Sequence, residues 1–212
     1  MNAPMEALLV ALILSDLALL GSGRLGSCIR TVALQGILAG LLPLAEGGAG
    51  FQILLLGATV VVLKGFVFPR LLGRAMRESA TSREVQPLVG YAPSLLAGVA
   101  ILAGAFWLDG RMGGLLRSSG GILVPVAFSM MFTGLFLVVA RRTAVNQVIG
   151  YLVLENGIYA FSLAAAREIP FLVELGVLMD LFVAVFVMGI AIQRINLEFD
   201  HIDSGRLTRL RG

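Results

Sequence analysis

The chain has 212 residues, 58% hydrophobic and only 14% charged, against about 25% charged in an ordinary soluble domain. A mean hydropathy of +0.94 excludes a soluble globular protein and points to an all-α, polytopic membrane helix bundle. The net charge of +3 does not indicate nucleic acid, because the arginines fall in short loops between apolar runs and no basic helix carries interleaved aromatics.

A spanning helix needs about 20 apolar residues. Seven stretches qualify, near 5–23, 29–45, 50–69, 91–108, 121–140, 146–166 and 170–193. The first is preceded by Glu6 without Lys or Arg, and no A-x-A site follows it. It therefore reads as a retained helix rather than a signal peptide. The second contains GILAG, Gly36 to Gly40, a small-xxx-small pattern that favours close helix packing. Pro43 is expected to break it near its end, as Pro125 breaks the fifth. The longest polar connection, RAMRESATSREVQ from Arg74 to Gln86, reads as a surface loop.

The arginines give an orientation. The loops 24–30, 70–90 and 141–142 and the tail after 193 hold twelve of them, whereas Arg111, Arg117 and Arg167 lie on the other side. By the positive-inside rule the N-terminus is outside and the C-terminal tail cytoplasmic.

Cys28 is the only cysteine and His201 the only histidine. Iron–sulfur clusters, bis-histidine haem and zinc sites need more such ligands. No cofactor and no metal is therefore expected, and electron chemistry linked to this chain belongs elsewhere.

Besides Glu6 and Arg30 at the starts of the first two, five ionisable residues fall inside the expected spans: Asp16, Lys64, Glu155, Glu174 and Asp180. Each such residue at mid-helix costs about 2.5–3.5 kcal/mol on an insertion scale. Lys64 is the only lysine in the chain. At about 1.5 Å of rise per residue, Asp16 lies roughly 16 Å from the outer end of its helix and Asp180 roughly 14 Å from the outer face. Glu155 lies roughly 10 to 14 Å from the cytoplasmic end. Glu174 is nearer the outside and Lys64 nearer the cytoplasm, so together they suggest a stepped polar path. Tyr151, Glu155, Tyr159 and Ser162 share one helix face, which could hold water beside the acid. Asn156 projects about 100° away, toward another helix. Desolvation opposes the charge on such an acid and a neighbouring lysine supports it, so a group between those influences is a proton-relay candidate. The competing reading is polar glue between helices.

QVIGYLVLENGIYAF followed by PFLVELGVLMDLFVAVFVMGI resembles the E subunit of hydrogenase-4, and so do VLKGFVFPRLL and the ending RLTRLRG. That family implies a membrane-arm subunit, in a bacterial or archaeal cytoplasmic membrane, of a nickel–iron hydrogenase or formate hydrogenlyase complex. Its partners would be antiporter-like membrane subunits and, indirectly, a hydrogenase-like peripheral arm. The last three expected spans are also similar to the K subunit of NADH–quinone oxidoreductase and to the C component of Mrp antiporters. Those relatives carry an acid in each of their second and third helices, and Glu155 and Asp180 occupy the corresponding places. Asp180 is one methylene shorter than the usual glutamate, and Glu155 falls about one turn, or about 5 Å, later. The resemblance implies a four-helix extension over 1–115, a three-helix core over 116–196 like the NADH–quinone oxidoreductase relative, and a tail over 197–212. It implies a non-catalytic subunit that couples redox chemistry elsewhere to proton or Na+ movement; the alternative is a purely structural assembly subunit.

Overall fold

The computed structural model describes residues 3–47, 50–78, 88–111, 121–141 and 143–165. The described residues are all helical apart from short connections. The helices are α1 (Ala3–Gly21), α2 (Leu25–Ala45), α3 (Phe51–Val62), α4 (Phe68–Glu78), α5 (Tyr91–Arg111), α6 (Leu123–Ala140) and α7 (Ala144–Ala165). A single π-helical turn, Leu63–Val67, joins α3 to α4, so 51–78 is one unbroken rod. Four helices, α1, α2, α5 and α6, are long and apolar enough to cross a membrane, which makes this a multi-pass membrane protein. The expected span over 170–193 lies outside the described residues.

Neither proline ends its helix. Pro43 is buried inside α2, which runs on to Ala45. Pro125 is the third residue of α6, where a backbone N–H would have no intrahelical acceptor to lose. Arg30 lies in α2 rather than in a loop, and the segment expected as a loop from Arg74 is helical as far as Glu78. The rest of it, to Gln86, lies outside the described residues.

The interior is built as two apolar clusters. One joins Leu19 and Leu20 of α1, Cys28, Ile29 and Val32 of α2, Phe68 and Leu72 of α4, and Val148, Ile149, Leu152 and Val153 of α7. The other joins Met5, Leu9 and Leu12 of α1, Leu42 of α2, Leu123, Val126, Ala127 and Met130 of α6, and Ala160 and Ala164 of α7. Each of α1, α2 and α7 therefore passes from one cluster to the other. The residues between them, Ser15 and Asp16, Gln35, and Glu155 and Asn156, are polar and buried. The bundle thus has a polar layer at mid-height, sealed by an apolar block on each side.

Small residues set the helix spacings. The α6–α7 pair meets backbone to backbone. A Cβ on Gly150 would stand 2.8 Å from the Val138 nitrogen and 2.9 Å from the Gly134 oxygen. One on Gly157 would stand 2.7 Å from the Met131 nitrogen. The GILAG pattern does pack: a Cβ on Gly36 would meet the Lys64 Cβ at 2.5 Å, and one on Gly40 the Val61 Cγ2 at 2.7 Å. At the end where α1 and α6 finish, Arg141 is buried. Its Nη2 donates to the Leu20 carbonyl at 2.9 Å, and its guanidinium lies 4.9 Å from the Tyr91 ring centroid. Leu20 belongs to the last turn of α1, whose carbonyls have no intrahelical donor, so Arg141 fastens α1, α5 and α6 together there.

These spacings predict opposite outcomes for one chemical change. Gly134→Ala and Gly150→Ala should lower the unfolding temperature, because backbone stands where the methyl must go. Gly104 has nothing within 4 Å of an added Cβ, so Gly104→Ala should be neutral or stabilising, by up to about 1 kcal/mol. Thermal unfolding with a fluorogenic maleimide, reading exposure of the buried Cys28, checks both.

Candidate functional site

The polar layer draws residues from four elements. On α7, Glu155 is 1% exposed, and on the π-turn Lys64 is 4% exposed. The Lys64 Nζ lies 2.6 Å from the Glu155 Oε1. The same ammonium stands 5.6 Å from the centre of the Tyr159 ring, one turn along α7, where the ring face supports a cation. Sequence reading expected Glu155 and Lys64 at separate depths; the structure makes them a pair.

The π-turn explains how Lys64 reaches inward. Val60, Lys64, Phe68 and Leu72 are all buried, at successive spacings of four. In an unbroken α-helix that stripe would drift by about 120° between Val60 and Leu72. A π-turn accommodates about one extra residue, which cuts the drift to about 20° and keeps all four on the inner face. Gly36 of α2 then admits the Lys64 Cβ at van der Waals range or closer. Any side chain at 36 would push the lysine away from α7.

Next to the ion pair runs a chain of hydrogen-bonded side chains. The Gln35 Nε2 donates to the Asp16 Oδ1 at 2.7 Å and to the Ser15 Oγ at 3.0 Å. Its Oε1 accepts from the Asn156 Nδ2 at 3.3 Å. Ser15 in turn donates to the Leu12 carbonyl at 2.6 Å. Asp16 on α1 is thereby connected through α2 to Asn156 on α7, the residue beside Glu155. Asn156 turns toward another helix, as its 100° offset implied. Gln35 was not singled out by sequence reading. It is fully buried, and its only signal there was a polar side chain amid an apolar run.

The remaining expected residues divide. Tyr151 packs on the apolar cluster at the α1–α6 end. Ser162 is buried, and its hydroxyl donates to the Tyr159 carbonyl at 2.8 Å, so it serves its own helix rather than Glu155. Among the described residues the Tyr159 hydroxyl, the Asp16 Oδ2 and the Asn156 Oδ1 are buried without a hydrogen-bond partner. Glu174 and Asp180 lie outside the described residues. Among those described, no three of His, Cys, Asp and Glu come together as a metal site would require.

A buried ion pair is asymmetric to mutation. Removing one partner strands the other charge and costs about 3–5 kcal/mol, whereas replacing both with apolar or neutral groups can be nearly neutral. Lys64→Met should therefore destabilise the bundle more than Lys64→Met combined with Glu155→Gln. Unfolding temperatures of the two single variants and the double variant, read from Cys28, test this coupling.

No protein-family model matches the chain, and no solved structure does. Over 203 residues the chain is 32% identical to the uncharacterized protein Rv0085 of Mycobacterium tuberculosis, covering 94% of this chain and 92% of that protein. Over 167 residues it is 29% identical to hydrogenase-4 component E of Escherichia coli K12, covering 77% of this chain and 76% of that one. The Shigella flexneri component E matches to the same extent. The chain thus belongs to one family with Mycobacterium tuberculosis Rv0085, and hydrogenase-4 component E is its distant homologue.

Proposed function

We propose that this chain is a membrane-arm subunit of a hydrogenase-like or formate-oxidising complex related to respiratory complex I. It helps couple redox chemistry elsewhere in the complex to the movement of protons or Na+. The observation that carries the reading is the Lys64–Glu155 pair, 2.6 Å apart inside a polar layer. The distant kinship with hydrogenase-4 component E supports the choice of complex. A buried ion pair is a weak source of stability, and an ionisable residue inside a membrane is a functional candidate by default.

In this reading the chain crosses the membrane seven times. α7, with 22 residues, is about 33 Å long, and the rod over 51–78 is longer still. A seventh helix is expected near 170–193, carrying Glu174 and Asp180 about 120° apart around its axis. A proton reaching Glu155 cancels the attraction that holds Lys64, and the released ammonium is then drawn toward the next acid. Charge displacement in one subunit thereby biases the antiporter-like subunits beside it. The division into an extension over 1–115 and a core over 116–196 places Lys64 in the first part and Glu155 in the second.

A second reading is favoured by the hydrogen bonds of Gln35, which bind α1, α2 and α7 in the manner of interhelical glue. Glu155→Gln separates the two readings. Glutamine keeps the shape and most of the hydrogen bonding but cannot ionise. A relay role predicts a several-fold loss of proton uptake per turnover in inverted vesicles, with the complex still assembled on a native gel. Asp180→Asn should behave alike. Intact coupling in an assembled Glu155→Gln complex would leave the structural role standing.

The orientation of this reading has the N-terminus outside and the tail inside the cytoplasm. The described arginines agree with it in their distribution: Arg24, Arg30, Arg70, Arg74 and Arg141 lie at the end where α1 and α6 finish, and Arg111 at the other. In a chain lacking Cys28, an impermeant maleimide applied to intact cells should label Gly110→Cys and leave Gly205→Cys unlabelled. The reverse pattern would invert the topology.

A further inference from the structure

Gln35 spends both amide hydrogens and one lone pair of its oxygen on two helices at once. Both hydrogens of its Nε2 are committed, one to the Asp16 Oδ1 and one to the Ser15 Oγ. Its Oε1 takes a hydrogen from Asn156. The three side chains lie in the sealed layer between the apolar clusters, with Gln35 fully buried and Asp16 and Asn156 nearly so.

That arrangement requires the Asp16 Oδ1 to be an acceptor. As a carboxylate, Asp16 accepts the Gln35 N–H at Oδ1. Once a proton sits on Oδ1, two donors face each other and the bond is lost. A proton on Oδ2 finds no acceptor either, because Oδ2 is buried with no partner among the described residues. An amide resolves the conflict by turning over about its last torsion, which exchanges its oxygen and nitrogen ends. The Gln35 Oε1 then accepts from the protonated Asp16, and the Nε2 faces Asn156.

Turning over moves the conflict to α7. The Gln35 Nε2 now meets the Asn156 Nδ2, again donor against donor. The Asn156 Oδ1 is the acceptor that resolves it, and it is buried and unpartnered among the described residues. Rotation of the Asn156 amide brings that oxygen to Gln35. Its NH2 group is then turned away from Gln35, on the residue that follows Glu155 in the chain.

We propose that Gln35 is a positioning residue that reports the protonation state of Asp16 to Asn156, and through it to the surroundings of Glu155. No proton travels along the amides. One O–H bond forms at Asp16, on arrival of a proton from outside the layer, and every other change is an exchange of hydrogen-bond partners. The described helices packed against α1 offer no competing charge at this depth. The charged side chains of α2 and α5 are Arg30, Asp109 and Arg111, none of them in the buried layer. Cys28 and Tyr91 lie toward the Arg141 end. α6 has no ionisable side chain. Among the described residues, the other buried ionisable groups of the layer are Lys64, Glu155 and the Tyr159 hydroxyl. The link to coupling rests on the proposed function; the switch at Asp16 does not.

The test is infrared difference spectroscopy of the full-length chain in lipid nanodiscs, between alkaline and acidic pH, with the glutamine side-chain amides labelled with 13C. A carboxylic-acid band absent from Asp16→Asn should appear on acidification. A shift of the labelled amide band should accompany it, and both Asp16→Asn and Gln35→Met should lack that shift. An Asp16 band without any glutamine shift overturns the proposal, as does a shift that survives in Gln35→Met or the absence of any Asp16 band. Should Gln35→Met fail to fold, Asp16→Asn reads the same linkage on native Gln35. In vesicles of the assembled complex, Asp16→Asn, Gln35→Met and their double variant should impair proton uptake per turnover equally. Loss of coupling in Glu155→Gln with none in Gln35→Met would reject this device and keep the relay. Silence of Glu155→Gln would reject the relay, leaving the infrared result to decide the switch.

Discussion

An ammonium and a carboxylate 2.6 Å apart, with almost no solvent contact, set the terms for the rest of this bundle. Each charge would be very expensive alone in a water-free interior, and their mutual attraction offsets that expense only at close range. The two groups come from different helices, so their separation is a demand on helix packing. The π-turn rotates Lys64 inward, and Gly36 lets its stem lie directly on α2. On the other side, Gly134, Gly150 and Gly157 bring α6 and α7 to backbone contact. That fixes the helix bearing Glu155 from behind. Glycine placement and the helical defect together write the geometry of one ion pair into the backbone.

The apolar clusters gain a second meaning from their position. They lie above and below the polar layer on the same three helices. Besides supplying packing, they keep water away from the pair. At low effective dielectric, a change of one unit of charge is felt far more strongly than at a wetted surface. A layer sealed in this way can pass an electrostatic signal sideways between helices without opening a continuous aqueous path through the membrane.

How much of this was legible in the sequence varied with the kind of signal. Hydropathy and arginine distribution marked the apolar runs, and six of the seven expected spans contain a described helix. Lys64 stood out as a lone lysine in an apolar run, Glu155 as an acid at depth, and Asn156 by its angle from Glu155. The pairing of Lys64 with Glu155 was not legible, because it depends on a π-turn that hydrophobic periodicity does not announce. Gln35 was passed over because it is uncharged, although buried amides have the richest donor and acceptor set available to a neutral side chain. Arg141 was counted as a loop arginine, yet its guanidinium is buried against the end of α1. Pro43 and Pro125 were read as breaks, but Pro125 sits in the first turn of α6, where the missing N–H is inexpensive, and α2 continues past Pro43 to Ala45. The glycines of α6 and α7 were invisible for a simpler reason. Their spacing is meaningful only once it is known which helices face each other.

The way the site is divided along the chain bears on why the first four expected spans accompany the last three. Glu155 lies on α7, whereas Lys64, Gln35 and Asp16 all come from helices that precede α5 in the chain. The Lys64–Glu155 pair joins α7 to the rod over 51–78. Losing one member of a buried ion pair is penalised far more than losing an apolar contact. The helices before α5 supply the positive charge of the pair, and through Gln35 they tie Asp16 of α1 to Asn156, the residue beside Glu155.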